Sequence, residues 1–298
     1  MSAHGASVDR LARFAVSPRR RRADKLARGL LLGATLLALI PLGLIVYYLL
    51  IKGLGAWSFS FFTTDPTGST FFGGSSIGGI KSAILGTIEM VALASAIAIP
   101  IGIGVALWLV EYGRSSWFAH TVRFFVDVLT GVPSIVFGLF IYIALIIGTG
   151  STYAGYKGSL ALSLLMLPVV IRSAEVILLL VPGALRESAL ALGAPRWKVI
   201  FRIVLPTALT GMLTGVLLAV ARAAGETAPL LFTAGHTNKS SFDLGGFMNS
   251  LPYQIYNDVT SPTTQVVNRA WGAALTLVTM ILILNLIARL IARRSRLA

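Results

Sequence analysis

Charged residues that fall inside long apolar runs are the first candidates for chemistry in this sequence: Glu89, Asp127, Arg172, Glu175, Arg222 and Glu226. Each is costly in hydrocarbon and calls for a partner, a water-filled path or a substrate. Arg172 and Glu175 are three residues apart, and Arg222 and Glu226 four apart, so on a helix each pair shares a face. Two readings are open for each pair. The glutamate neutralises the arginine and nothing more. Alternatively, the guanidinium, a planar fork of donors, receives an anion, with the glutamate holding it until the anion arrives. Glu89 and Asp127 lie nearer the ends of their runs and read as structural.

Other chemistries find little support. His4, His120 and His236 lie far apart without metal-ligand spacing, so no metal site is expected. There is no cysteine, which removes disulfides and thiolate chemistry. Gly78-Gly79-Ile80-Lys81-Ser82 looks like the end of a phosphate-binding loop. Its lysine does not directly follow a glycine and no strand precedes it, so it is not a nucleotide motif. No H-E-x-x-H, G-x-S-x-G or paired catalytic carboxylates occur. The expectation is a non-enzymatic chain with no cofactor and no nucleotide site of its own.

The elements that carry these charges follow from composition. Hydrophobic residues make up 56% of the chain and charged residues 12%, with a mean hydropathy of +0.83. Those charges are too few to cover a water-facing surface. The apolar blocks reach the roughly 20 residues needed to cross a bilayer. They are continuous rather than alternating, which predicts helices and not a barrel. Spans are expected at 29–51, 80–109, 121–148, 158–181, 207–232 and 270–292, an all-α membrane protein with six transmembrane helices. The first block is too long, and follows too long a tail, for a cleaved signal peptide.

Asp65-Pro66-Thr67-Gly68 and Gly73, Gly74, Gly78 and Gly79 mark a loop after the first span, and 233–268 a long polar loop before the last. The organisation expected is a basic tail at 1–28 with the run Arg19, Arg20, Arg21, Arg22; a first helix and outer loop at 29–69; a core at 70–292; and a basic end at 293–298. The net charge of +14 would suggest nucleic acid in a soluble protein. Here about eighteen of the 25 basic residues fall on one side, in the tail, the second–third loop with Arg114, the fourth–fifth loop and the C-terminus with Arg296. Lys52, Lys81, Lys157, Lys239 and Arg269 fall on the other. The positive-inside rule puts both termini in the cytoplasm, and the tail against anionic lipid or in solvent.

The most specific pattern lies in the fourth–fifth loop. Pro182-Gly183 ends a span, 184–192 reads as a short helix with small residues on one face, and Gly193-Ala194-Pro195 breaks it. Taken alone, this is an amphipathic interfacial helix. The run Glu187-Ser188-Ala189-Leu190-Ala191-Leu192-Gly193-Ala194, followed by Ile203-Val204-Leu205-Pro206, resembles the EAA loop of ABC-importer permeases at every spacing, with Ser188 where alanine is usual. The resemblance implies a type I ABC-importer permease fold with a coupling loop at 182–206. Glu187, Ser188, Ala189, Gly193 and Pro206 would then dock a cytoplasmic ATPase. It also implies two copies of that ATPase, which bind the ATP, a second homologous permease, and a periplasmic or lipid-anchored binding protein.

Further segments resemble the phosphate-specific subfamily: Gly78-Gly79-Ile80, Ala83-Ile84, Gly86-Thr87, Glu111-Tyr112, Gly131-Val132-Pro133-Ser134, and Ala221-Arg222-Ala223-Ala224-Gly225-Glu226-Thr227-Ala228-Pro229-Leu230. That resemblance covers about residues 70–292. It implies inorganic phosphate as substrate, Arg172, Arg222, Glu175 and Glu226 on its path, and the bacterial cytoplasmic (inner) membrane as location. Another oxyanion, or a secondary transporter without an ATPase, are the competing readings.

Overall fold

A computed structural model describes residues 18–67, 78–113 and 115–294. Residues 1–17, Gly68, Gly73, Gly74, Arg114 and Arg296, all used in the sequence reading, lie outside them. The chain divides into two compact units, 1–51 and 52–298. Helix α1, Pro18–Leu54, accounts for the described part of the first unit. It starts eleven residues before the apolar block expected at 29. Proline suits a first helical position, the basic residues after it are good helix formers, and Arg28 pairs with Asp24 one turn back at 3.1 Å.

In the second unit a short helix, α2 (Phe59–Thr63), precedes α3, Lys81–Leu107, which continues as a π-helical turn over Trp108–Gly113. Helix α6, Gly155–Leu180, packs along α3 through Met90, Ala94 and Ala98 against Leu162, Met166 and Val170. Small residues let the two backbones close. A Cβ on Gly102 would stand 2.7 Å from Val170 Cγ1. Helix α9, Leu205–Ala224, lies on the same α6 face. Cβ atoms on Gly211 and Gly215 would meet Ile177 at 2.7 Å and Ser173 at 2.3 Å. Close small-residue contact is how helices associate where lipid offers no hydrophobic drive.

Two expected spans are broken. The run at 121–148 is not one helix but α4 (Trp117–Gly131) and α5 (Ser134–Ile141), the latter continued by a π turn over Tyr142–Ile147, with a bend of 103° between them. Pro133 is the cause. It lacks an N–H and forces Val132 into extended backbone, φ −72° and ψ 131°. The run at 207–232 breaks likewise. After α9 the chain turns through Gly225, Glu226 and Thr227 and resumes as α10, Ala228–Thr233, with Pro229 in its first turn. Counting the bent pair as one span, six elements among the described residues are long and apolar enough to cross a membrane; α1, α3, α6, the run Arg196–Ala224 and α12 (Thr264–Arg294) are the other five.

The polar loop expected at 233–268 holds a helix, α11 (Leu251–Val259), and a buried hydrogen-bonded chain. Asn249 Nδ2 donates to Gln254 Oε1 at 2.7 Å, Gln254 Nε2 to Asp258 Oδ1 at 2.7 Å, and Arg269 Nε to Asp258 Oδ2 at 2.7 Å. The Leu251 N–H donates to Thr87 Oγ1 at 2.8 Å, which ties the loop to α3. Buried polar groups paired this fully act as a clamp.

Candidate functional site

The predicted site residues separate into three groups, with Glu89 apart from all of them. On α4, Arg123 and Asp127 are four residues apart; on α6, Arg172 and Glu175 are three apart, and the two faces meet. Arg123 Nε donates to Glu175 Oε1 at 2.5 Å, Arg172 Nη1 to Glu175 Oε2 at 2.9 Å, and Arg172 Nη2 lies 2.9 Å from Asp127 Oδ1. A second Arg123 nitrogen donates to the Leu109 carbonyl at 3.1 Å. Two arginines and two carboxylates thus balance. Glu175 is almost wholly buried, but the side chains of Arg172 and Asp127 are 45% and 52% exposed. The sequence paired Arg172 with Glu175 alone. It set Asp127 aside as structural and passed over Arg123.

Arg222 stands near the end of α9, just before the Gly225 break. Its Nε lies 3.4 Å from Glu226 Oε1, a long contact, with side chains 46% and 17% exposed. Glu226 is not on the helix, as the four-residue spacing suggested, but in the turn beyond it. That turn is held by close backbone packing of the two span breaks. A Cβ on Gly138 of α5 would stand 2.6 Å from Pro229 Cα of α10. Thr233 Oγ1 donates to the Pro229 carbonyl at 2.7 Å, and the Thr233 carbonyl accepts from the Ala154 N–H at 3.0 Å. Gly215 faces Ser173, the neighbour of Arg172, and Arg222 lies seven residues further along α9, or about 10 Å at helical rise. The two arginines therefore sit at different levels.

Glu89 is the remaining intramembrane carboxylate. Its two oxygens are buried and, among the described residues, have no hydrogen-bond partner.

The third group lies where α6 ends. Pro182 opens helix α7, Gly183–Ala191, and Gly193 closes it at φ +78°. The Gly193 N–H donates to the Leu190 carbonyl at 2.9 Å and the Ala194 N–H to the Ala189 carbonyl at 3.2 Å, a left-handed helix terminus that glycine adopts without strain. Beyond its two chain neighbours, no atom of the described residues lies within 4 Å of where a Gly193 Cβ would be. Glu187, Ser188, Gly193 and Pro206 are exposed, and the Ser188 hydroxyl donates back to the Ala184 carbonyl at 2.7 Å. Ala189 is different: it is buried among Leu178, Val181, Val199, Val204 and Ala208 of its own chain. Leu185, Leu190, Leu192 and Trp197 form an exposed apolar rim, Leu192 being 88% accessible. Beyond the turn, α8 (Arg196–Val199) passes into a π turn, Ile200–Val204, that leads into Pro206 and α9. The wider π turn accommodates a proline, whose ring clashes with an ordinary helical ladder.

This arrangement of broken spans around a short surface helix is that of a type I ABC-importer permease subunit. The pattern described as binding-protein-dependent transport system inner membrane component matches residues 98–297. The subunit of a bacterial alginate ABC transporter, crystallised with an alginate-bound periplasmic protein, superimposes with a TM-score of 0.63 at 17% identity over 93% of this chain and 96% of that one. An inward-facing MetNI methionine transporter chain gives 0.58 at 19% identity over 72% of this chain and 95% of that one.

Within that class the relatives narrow the family. The phosphate transport system permease protein PstA of Yersinia pestis is 39% identical over 93% of this chain and 92% of its own length. That of Mycobacterium leprae is 42% identical over 91% and 89%. The chain belongs to the PstA family of phosphate transport system permease proteins.

Proposed function

We propose that this chain is one permease subunit of an ATP-driven importer of inorganic phosphate, and that it forms half of the translocation path beside a second, homologous permease. The observation that carries the reading is the half-exposed Arg222 at the break of a span, loosely held by Glu226, in a chain of the PstA family. A charge left half exposed on a membrane helix is costly against lipid, so this surface is expected to meet protein or water. A cation there lowers the barrier to an anion. Arg172, held between Glu175 and Asp127, is a second station at another level.

The surface helix α7, with Glu187, Ser188 and Gly193 outward and an apolar rim, docks one of two cytoplasmic ATPase subunits; those subunits bind the ATP. Ala189 contributes from beneath by packing the helix to its own spans, and Pro206 by starting α9. A periplasmic or lipid-anchored binding protein delivers phosphate on the other side. Both termini then lie in the cytoplasm of a bacterial cell with this protein in its cytoplasmic membrane. ATP binding closes the ATPase pair and the spans rock between inward- and outward-open states.

The test is ATP hydrolysis by the complete complex in lipid, stimulated by its binding protein with phosphate, sulfate or molybdate. Stimulation by phosphate alone is expected. Equal stimulation by sulfate or molybdate would replace phosphate with a broader oxyanion class.

A further inference from the structure

Coupling needs more than a docking helix: a push on α7 must reach the spans. Residues 178–191 and 108–113 meet through apolar packing of Val110 with Leu178, Val181 and Ala189, and through one polar side chain, Arg186 of α7. Its Nε donates to Glu111 Oε1 at 2.9 Å, and Nη2 lies 2.8 Å from the same oxygen. Nη1 donates to the Val181 carbonyl at 2.7 Å and Nη2 to the Leu178 carbonyl at 3.0 Å. Glu111 sits in the π turn that ends α3, and Leu178 and Val181 lie at the end of α6. The last carbonyls of a helix lack the usual ladder partners, the Leu178 carbonyl taking the Val181 N–H at 3.3 Å, and a cation there complements the helix dipole. One guanidinium therefore fastens α7 to the ends of both spans that form the core of the molecule. Both side chains are mostly buried, 13% and 9% exposed, so water does not loosen the pair.

We infer that Arg186 and Glu111 form the rigid tie through which movement of the ATPase-docked helix reaches α3 and α6, making Arg186 a positioning residue for coupling. It touches neither the ATPase surface described above nor the arginine stations. Glu187 beside it faces outward, so adjacent residues of one helix divide the work: Glu187 outward to the partner, Arg186 inward to the spans. The inference rests on the reading of α7 as the ATPase-docking element.

The test uses the complete complex in lipid. Removing Arg186 alone would strand a buried carboxylate and risk unfolding, so the variant is Arg186→Met with Glu111→Gln, which leaves no unpaired charge. The chain has no cysteine, so a single Lys81→Cys label at the exposed far end of α3 reports span movement when ATP is trapped in the ATPase. The expected result is an assembled complex that still hydrolyses ATP but loses the ATP-induced label signal, and moves at least about tenfold less phosphate per ATP. A label signal like that of the unaltered complex would overturn the tie. So would failure of the double variant to assemble, because the pair would then be structural. The label readout needs no phosphate. Failure of the unaltered complex to take up phosphate would therefore sink the functional reading and leave the label result to decide the tie.

Discussion

Arg186–Glu111 and Arg222–Glu226 are both arginine–glutamate pairs, yet the chain treats them in opposite ways. At the first, the guanidinium has four contacts with Glu111, Val181 and Leu178 at 2.7–3.0 Å, and both side chains are mostly buried. At the second, the contact is 3.4 Å, Arg222 is 46% exposed, and the glutamate comes from a turn rather than a helix. A buried arginine with four of its five N–H donors engaged holds elements in register and has little left for a ligand. An open one, loosely held, keeps most of its donors free. Arg172 is intermediate, with two carboxylate partners but a side chain 45% exposed. Satisfaction of donors, rather than the presence of an arginine in a span, separates a joint from a station.

Arg222→Ala offers the largest effect with which to break this comparison. Losing charge-assisted bonds of roughly 1.5–3 kcal/mol to an anion predicts a fall in phosphate uptake on the order of 100-fold, with normal membrane abundance. Arg222→Lys restores it only in part, because the bidentate fork is gone. Gly193 sharpens the other side. Gly193→Arg places bulk and charge on the docking face, so the ATPase should no longer co-purify. The φ of +78° adds strain of its own, roughly 1–2 kcal/mol for a residue with a Cβ. Gly193→Asn tolerates that conformation and should dock nearly normally, which separates lost docking from backbone strain. Arg172→Ala comes last. Glu175 keeps Arg123, so no buried carboxylate is stranded, and uptake should fall about tenfold or less with little loss of protein. A loss as deep as that of Arg222→Ala would make Arg172 an equal station.

Much of this was legible beforehand, for physical reasons. The α7 segment was bounded to within a residue, because Pro182 and Gly193 act on their own backbone and need no tertiary context. The span breaks were missed, because hydropathy conceals them: an apolar run stays apolar through Val132-Pro133, and only the backbone limits imposed by proline mark the bend. Partners across helices were not legible. Arg123 was passed over, and nothing local joins it to Glu175 fifty-two residues on. Glu111 was noticed only within a family pattern, with its partner seventy-five residues away. Asn249, Gln254, Asp258 and Arg269 read as loop residues, because polarity alone does not tell a solvated loop from a buried network.

The central claim is that Arg222 serves the anion and not the fold. The direct measurement is phosphate uptake and membrane abundance, taken together, for the double variant Arg222→Ala with Glu226→Gln. It removes the cation without leaving an unpaired carboxylate. The account predicts normal abundance with uptake reduced as deeply as in Arg222→Ala alone. Uptake at the rate of the unaltered protein would contradict it and leave the pair as a structural salt bridge.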